Sequence, residues 1–424
     1  MGQTRPGQTR NGAGWGPFGG QVQRTHLLQP RRHGWRLEHW RRRLRVQLMQ
    51  IQQLALAASA VVLASTSSTV GAVTRPEQAQ VSFKAMDYQD RQHQLSRIGV
   101  KALSSHWVVP IGASWALEAG TVVDAISGAS PAYYTAPRSF ARVRDTRRAQ
   151  DVKASHYGPN QRIMLGRSES KEIDYASTSH VFMYSLSTPD KNTTVDWGLA
   201  RTSDTINPVT QLVVNEKKTV QELLLGLTQV VTPQDLIQVQ WVHSSGQGYY
   251  SDPYKLLDSR PSSRRIDALS FRWNHHRPET QTTARWHARA SHDSFGIRAA
   301  SVGLDLAQVV SPQWTITPSA RFYSQSGAYF FSAPNPQMPD VPVIPGDFVL
   351  GQSHISFDQR LAPLGALTVG IKLEKKLSAN TVVDIKLERY RQRNAWTLHG
   401  GSVAGLDDFK AQTIQLGLTH RFGP

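Results

Sequence analysis

The sequence predicts an all-β protein: a transmembrane antiparallel β-barrel of outer-membrane type with about fourteen strands, possibly sixteen. Three observations predict it. Apolar residues recur with a period of two through most of the chain, short and long connections mostly alternate, and a segment resembling a secretion signal precedes the first strand.

The alternation is plainest near the C-terminus. Leu367, Val369, Ile371 and Leu373 alternate with Thr368, Gly370, Lys372 and Glu374. After the break Ser378-Ala379-Asn380, Val383, Ile385 and Leu387 stand against Asp384, Lys386 and Glu388. Ile414, Leu416, Leu418 and Phe422 repeat the pattern, with His420 its only interruption. A period of two means strands, since successive side chains point to opposite faces. A soluble sandwich and a membrane barrel share that pattern and differ in which face meets water.

Composition narrows the classes. Only 39% of the 424 residues are hydrophobic and the mean hydropathy is −0.40. No stretch approaches the ~20 apolar residues of a membrane helix, whereas a barrel needs only alternate residues to meet lipid. The chain has no cysteine, which removes disulfide frameworks and thiolate metal sites and suits passage through an oxidising compartment. The formal charge of +17 is unevenly spread. Residues 1–48 hold ten arginines and one acid, Glu38, a net +9. The remaining +8 is dispersed over alternating strands, so nucleic acid is not an expected partner.

Taken in order, residues 1–48 read as a disordered basic leader or as the product of a misassigned start near Met49. Residues 49–72 read as a signal peptide. Leu54 to Ala64 is a short apolar core, Arg41, Arg42, Arg43 and Arg45 precede it, and Val70-Gly71-Ala72 offers a cleavage site. Residues 73–424 form the expected barrel domain. Strands are expected near 82–90, 93–105, 112–126, 172–187, 193–204, 217–231, 236–250, 264–276, 281–293, 297–310, 314–330, 362–377, 380–393 and 410–422. Several alternate cleanly: Leu269, Phe271 and Trp273 face away from Ser270, Arg272 and Asn274. The turns at 188–192, 232–235, 277–279, 311–313 and 378–380 are tight and mostly Pro- or Asn-bearing. Between them lie longer links at 127–171, 205–216, 251–263, 331–361 and 394–409. Outer-membrane barrels pair short periplasmic turns with long external loops in this way. An extra hairpin within 127–171 would raise the strand count to sixteen. Trp107, Trp115 and Trp314 sit near short turns, and Tyr249, Tyr250, Tyr329, Phe330 and Phe331 near long ones.

Several segments resemble one bacterial family. They include Ser168 to Ser177 (SESKEIDYAS), Asn192 to Gly198 (NTTVDWG), Leu227 to Pro233 (LTQVVTP) and Gly248 to Lys255 (GYYSDPYK). Arg260 to Arg264 (RPSSR), Arg321 to Phe330 (RFYSQSGAYF) and Ser356 to Leu361 (SFDQRL) continue the series. Their order and spacing resemble the family known as domain of unknown function 3570 (DUF3570), over roughly residues 80–422. Asp258 stands where that pattern commonly has Glu. The resemblance implies an outer-membrane barrel without an established activity. Its members' frequent neighbours imply an envelope lipoprotein or a redox protein as partner.

On this strand map the segments converge on one rim. Asp174, Tyr175, Tyr250, Asp252, Tyr254, Lys255, Arg260, Arg264, Arg321, Tyr323, Gln325, Asp358 and Arg360 are the candidate rim and lumen residues. Their carboxylates and guanidiniums can pair bidentately. Such pairs would either stiffen the rim or form a binding or selectivity site for a small polar or anionic solute. His292-Asp293-Ser294 carries triad residue types, but neighbours on a strand cannot form a triad among themselves. His275-His276 lacks a third ligand, and Asp407-Asp408 reads as a solvated loop or a loose calcium site. No phosphate-cradling loop or dinucleotide fingerprint occurs. No catalytic residue, metal or cofactor is expected. The expected role is a non-enzymatic channel for a small polar solute, or an envelope scaffold, in contact with outer-membrane lipid. The alternatives are an outer-membrane hydrolase with a rim His/acid site and a soluble secreted β-sandwich.

Overall fold

A computed structural model describes residues 73–92, 95–128, 143–209, 211–255, 257–335, 337, 343–401 and 403–423. The leader, the signal segment and the expected cleavage after Ala72 lie outside these residues.

Sixteen antiparallel strands close into one barrel. They are β1 (Ala79–Gln92), β2 (Leu95–Ile111), β3 (Trp115–Gly128), β4 (Val143–Tyr157), β5 (Gln161–Lys171) and β6 (Tyr175–Ser187). Next come β7 (Thr193–Ile206), β8 (Glu216–Val230), β9 (Asp235–Gly248), β10 (Ser263–Arg277) and β11 (Thr282–Asp293). The ring ends with β12 (Arg298–Ser311), β13 (Trp314–Gln325), β14 (Leu364–Lys376), β15 (Thr381–Arg393) and β16 (Phe409–Phe422). Each strand pairs with its neighbours in sequence, and β1 closes the ring on β16 with Ala79 opposite Phe422. The extra hairpin in 127–171 is β4–β5, so sixteen is the count.

The outward face decides between membrane and water. Leu103, Leu165 and Leu416 are 66%, 59% and 54% exposed, although each lies in the middle of a strand. Ile385 and Leu416 are register partners on that face, as are Leu269 and Trp241. A sandwich would pack such stripes together; here they ring the outside. The barrel therefore turns an apolar surface to lipid, as a transmembrane barrel must. This excludes the soluble sandwich. Trp107, Trp115 and Trp314 stand outward at the short-turn end, where membrane barrels carry an aromatic girdle.

Inward positions are mostly small or polar. They differ between the two sides of the ring. On β6 to β8, Ser179, Met183, Ala200, Thr202, Glu222 and Leu224 are buried. On β11 and β13, Arg285, Arg289 and Arg321 point inward yet remain exposed. Water therefore reaches the inside of the barrel along that wall.

Candidate functional site

The expected strand 314–330 ends at Gln325, and the chain then turns inward. Between β13 and β14 the segment 355–361 lies across the barrel mouth. Ile355, Phe357 and Leu361 are almost fully enclosed, and so are Ser356 and Asp358 between them. Its contacts show how far it reaches. The amide of Gln92, at the end of β1, donates to Gln359 Oε1 at 2.7 Å. Asp358, the residue before, meets the β9–β10 loop, where Arg260 Nη2 donates to its Oδ2 at 3.0 Å. In a ring of sixteen, β1 and β9 stand opposite each other. The segment thus spans the mouth from side to side.

The β9–β10 loop reaches in to meet it. Gly248 starts this loop with φ +124°, and a Cβ there would stand 2.1 Å from the Lys217 carbonyl oxygen. Only glycine fits that turn. Beyond it, Asp252 Oδ1 caps the Tyr254 amide at 3.0 Å, and the Tyr254 hydroxyl donates to Asp174 Oδ2 at 2.5 Å. The loop is tied in this way to the β5–β6 turn as well.

Where the two loops meet, six charges form a balanced buried network. Asp358 faces Arg360, Arg260 and Lys255, with Arg360 Nε at 2.7 Å and Lys255 Nζ at 3.4 Å. Arg260 also makes a two-point pair with Asp258 at 2.7 and 3.0 Å. Asp258 accepts from Ser356 Oγ at 2.5 Å and from the Asp252 amide at 2.9 Å. Arg360 Nη2 completes the ring, 3.4 Å from Asp252. Burial alone would push the Asp358 carboxyl up; Arg360, Lys255 and Arg260 override it and hold the carboxyl well below its ordinary value. Burial pushes Asp252 up, and Lys255 and Arg360 offset it only in part. Burial works against the guanidiniums too, but Asp258 and Asp358 raise Arg260, and Asp358 raises Arg360.

An apolar layer supports this network. Phe295, Ile297, Ala328, Phe330 and Leu361 pack together, with Tyr250 against Phe295. Ile355 and Phe357 pack on Leu257, Phe331, Phe348 and Leu406. Backbone bridges from Ser259 to Ile355 and from Phe331 to Ser356 fix the path.

The sequence-predicted residues fall into three sets. Asp252, Tyr254, Lys255, Arg260, Asp358, Arg360 and Asp174 are brought together at the mouth. Gln325 joins them, donating to the Arg360 and Ala362 carbonyls at 2.9 and 2.8 Å and accepting from the Tyr323 hydroxyl. A second set lies apart: Arg264 pairs with Asp293 and stacks on Phe295, while Lys218 stands over both Tyr175 and Tyr250. Arg321 belongs to neither. It shares an inward row with Arg272 and His287, and Gly303 between them leaves the space that the His287 ring fills.

The enzyme and metal candidates resolve differently. Asp293 accepts from the Phe295 and Ile297 amides and anchors a turn, while His292 points to the opposite face. The acid–histidine pairs His243–Asp267 and His275–Asp235, at 2.9 and 2.8 Å, lie on the outward face. Asp408 pairs with Arg391 and Arg393 at 2.9 and 2.8 Å. Sequence reasoning missed Asp258 and Ser356 as network members, although Ser356 opens the SFDQRL segment and Asp258 falls between GYYSDPYK and RPSSR. It also missed a buried carboxylate group, Asp145, Glu172 and Asp174. There burial, and then Asp174 beside it, push the Glu172 carboxyl up to about 8.

Closed strand pairing, an apolar outer face and a polar interior together define a transmembrane β-barrel of outer-membrane type. A family model described as "Protein of unknown function (DUF3570)" matches residues 137–416. The chain belongs to that family, as its motifs suggested. Comparison with curated proteins returns no match. Among solved structures the barrel is similar to a bacterial polysaccharide outer membrane secretin, at 8% identity and a TM-score of 0.48, over 82% of this chain and 99% of the other. It is also similar to the siderophore receptor PirA from Pseudomonas aeruginosa, at 10% identity and 0.42, over 82% and 81%. A third is OccD3 (OpdP) of the same organism, at 8% and 0.39, over 83% and 93%.

Proposed function

We propose that the protein is an outer-membrane channel for small polar solutes, favouring anions, with its external mouth restrained by the two paired loops. One observation carries this reading. Arg285, Arg289 and Arg321 point into the barrel and stay exposed, on a wall where Lys372 and Lys386 are matched by Glu374 and Glu388. On β11 to β13 these three inward arginines share the wall with one mid-strand acid, Asp305 opposite Arg285. An excess of guanidiniums along a wet wall favours anions, because charge in a pore sets selectivity. The mouth network plays a different part. Its six charges are buried and spent on one another, so it latches the loops instead of holding solute.

The test is single-channel conductance of residues 73–424 refolded into planar bilayers. A steady anion-selective current is expected, with Arg321→Ala and Arg285→Ala inserting normally and losing anion preference. The mouth-spanning segment favours a second reading, a closed barrel that presents loops to an envelope lipoprotein or redox partner. Insertion without current, both in the wild type and after the latch is broken by Asp358→Ala, would refute the channel and favour that scaffold.

A further inference from the structure

We propose that Asp145, Glu172 and Asp174 bind a divalent cation, Ca²⁺ in preference to Mg²⁺, at the loop end of the barrel. Asp145 comes from the start of β4; Glu172 and Asp174 come from the turn between β5 and β6. One carboxylate oxygen from each lies within 4.8 Å of the other two. Three chain carboxylates gathered at one point suit Ca²⁺, which accepts many oxygen ligands in flexible geometry, better than Mg²⁺, which dehydrates reluctantly and usually takes only one or two carboxylates.

A second observation points to a ligand. Glu172 is 5% exposed, and neither of its carboxylate oxygens has a hydrogen-bond partner. Asp174 Oδ1 is buried and unpartnered as well. A carboxylate taken out of water without a partner is unstable, and burying three together compounds the cost. Arg147, the guanidinium acting on Glu172, is engaged elsewhere: its Nε and Nη2 both hold Asp124 Oδ2, at 2.8 and 2.7 Å. Asp145 accepts from the Thr146 amide and, at 3.5 Å, from the Ile173 amide, which orients its carboxylate. Oxygen-only donors of this kind suit a hard cation, with water completing the shell.

The ion would fasten β4 to the β5–β6 turn. Through Asp174 and the Tyr254 hydroxyl it would also hold the β9–β10 loop, and so the mouth. The site is independent of what the channel carries.

Tyr254 supplies a direct assay, because its ring sits beside Asp174 and can sensitise bound Tb³⁺. The chelator-treated protein in detergent is titrated with Tb³⁺ under tyrosine excitation, then with Ca²⁺ and Mg²⁺ as competitors. Saturable emission is expected, displaced by Ca²⁺ at a concentration at least tenfold below that of Mg²⁺. Glu172→Gln and Asp145→Asn should each weaken Tb³⁺ binding at least tenfold, and Asp408→Asn, outside the site, should not. The absence of saturable emission from the wild type would overturn the proposal, even if both variants failed to fold. Unchanged affinity in folded Glu172→Gln and Asp145→Asn would overturn it too.

Discussion

Asp358→Ala should release the mouth while leaving the barrel closed. The wild-type network contains three cations, Lys255, Arg260 and Arg360, and three acids, Asp252, Asp258 and Asp358. Removing Asp358 leaves one uncompensated positive charge among side chains that are at most 17% exposed. Deleting one member of a buried ion network costs about 3–5 kcal/mol, because its former partners stay buried. The sixteen-strand ring does not pass through this cluster, so the loss falls on the contacts that hold 355–361 in the mouth. At about 1.4 kcal/mol per tenfold, the closed arrangement should weaken by roughly a hundredfold to several thousandfold. Hydrogen exchange reads this directly. The Ile355 and Ser356 amides donate to the Ser259 and Phe330 carbonyls at 2.9 and 3.0 Å and should lose that much protection. Amides in β14 and β15 should keep theirs, and the protein should still show heat-modifiable mobility on a gel. Unchanged protection at Ile355 and Ser356 would refute the latch. Loss of heat-modifiability would show that the cluster supports the barrel itself.

Two other predictions follow from the same geometry. Ile385→Arg and Leu416→Arg, facing partners on the outer surface, should each impair insertion by ~2–4 kcal/mol near mid-bilayer, seen as lost heat-modifiable mobility; normal assembly of both would refute the lipid-face assignment. Acid should open the latch late. The Asp358 carboxyl lies below its ordinary 3.8 in the folded state, so its contribution is complete above 3.8 and is lost as pH falls through the folded value. Asp252 is held above its ordinary value, so its protonation favours the folded state. Exchange at Ile355, corrected for intrinsic rate, should therefore not rise between pH 7 and about pH 4 and should rise only below it.

The barrel was legible where one face of a strand meets lipid and the other meets water. In β16 every outward position from Ile414 to Leu418 is apolar and every inward one is not, so period and facing are both visible. β4 shows why fourteen was the direct reading. Its outward side chains include Arg148, Gln150 and His156, and its inward ones Arg147, Asp151 and Lys153, so neither face is apolar. Its neighbours fix it instead. β3 supplies an unbroken register from Trp115 opposite His156, the two rings 4.8 Å apart, and β5 pairs along its other edge. Information of that kind resides in pairing, not in the strand's own pattern.

The mouth was legible as a gathering of charges but not as a latch. Alternation and turn rhythm place Arg260 and Asp358 at the same rim. They cannot show that residues 98 positions apart are paired, or that both are buried. Burial of that kind suits the rim-stiffening alternative better than the solute-binding one. An exposed rim carboxylate would be free to select solutes, whereas Asp358, with three cations around it, has no capacity left. In the proposed channel, selectivity then rests with the arginines of the open wall below, Arg285, Arg289 and Arg321, which outnumber the one mid-strand acid among them, Asp305. The same reasoning sets Glu172 apart from Asp358. Both are buried acids near the mouth, but Asp358 has cations in contact, whereas neither Glu172 oxygen has a hydrogen-bond partner and Arg147 is held by Asp124. A barrel that balances its charges so closely at one point of the rim, and leaves them unbalanced at another, is built to take the missing charge from solution.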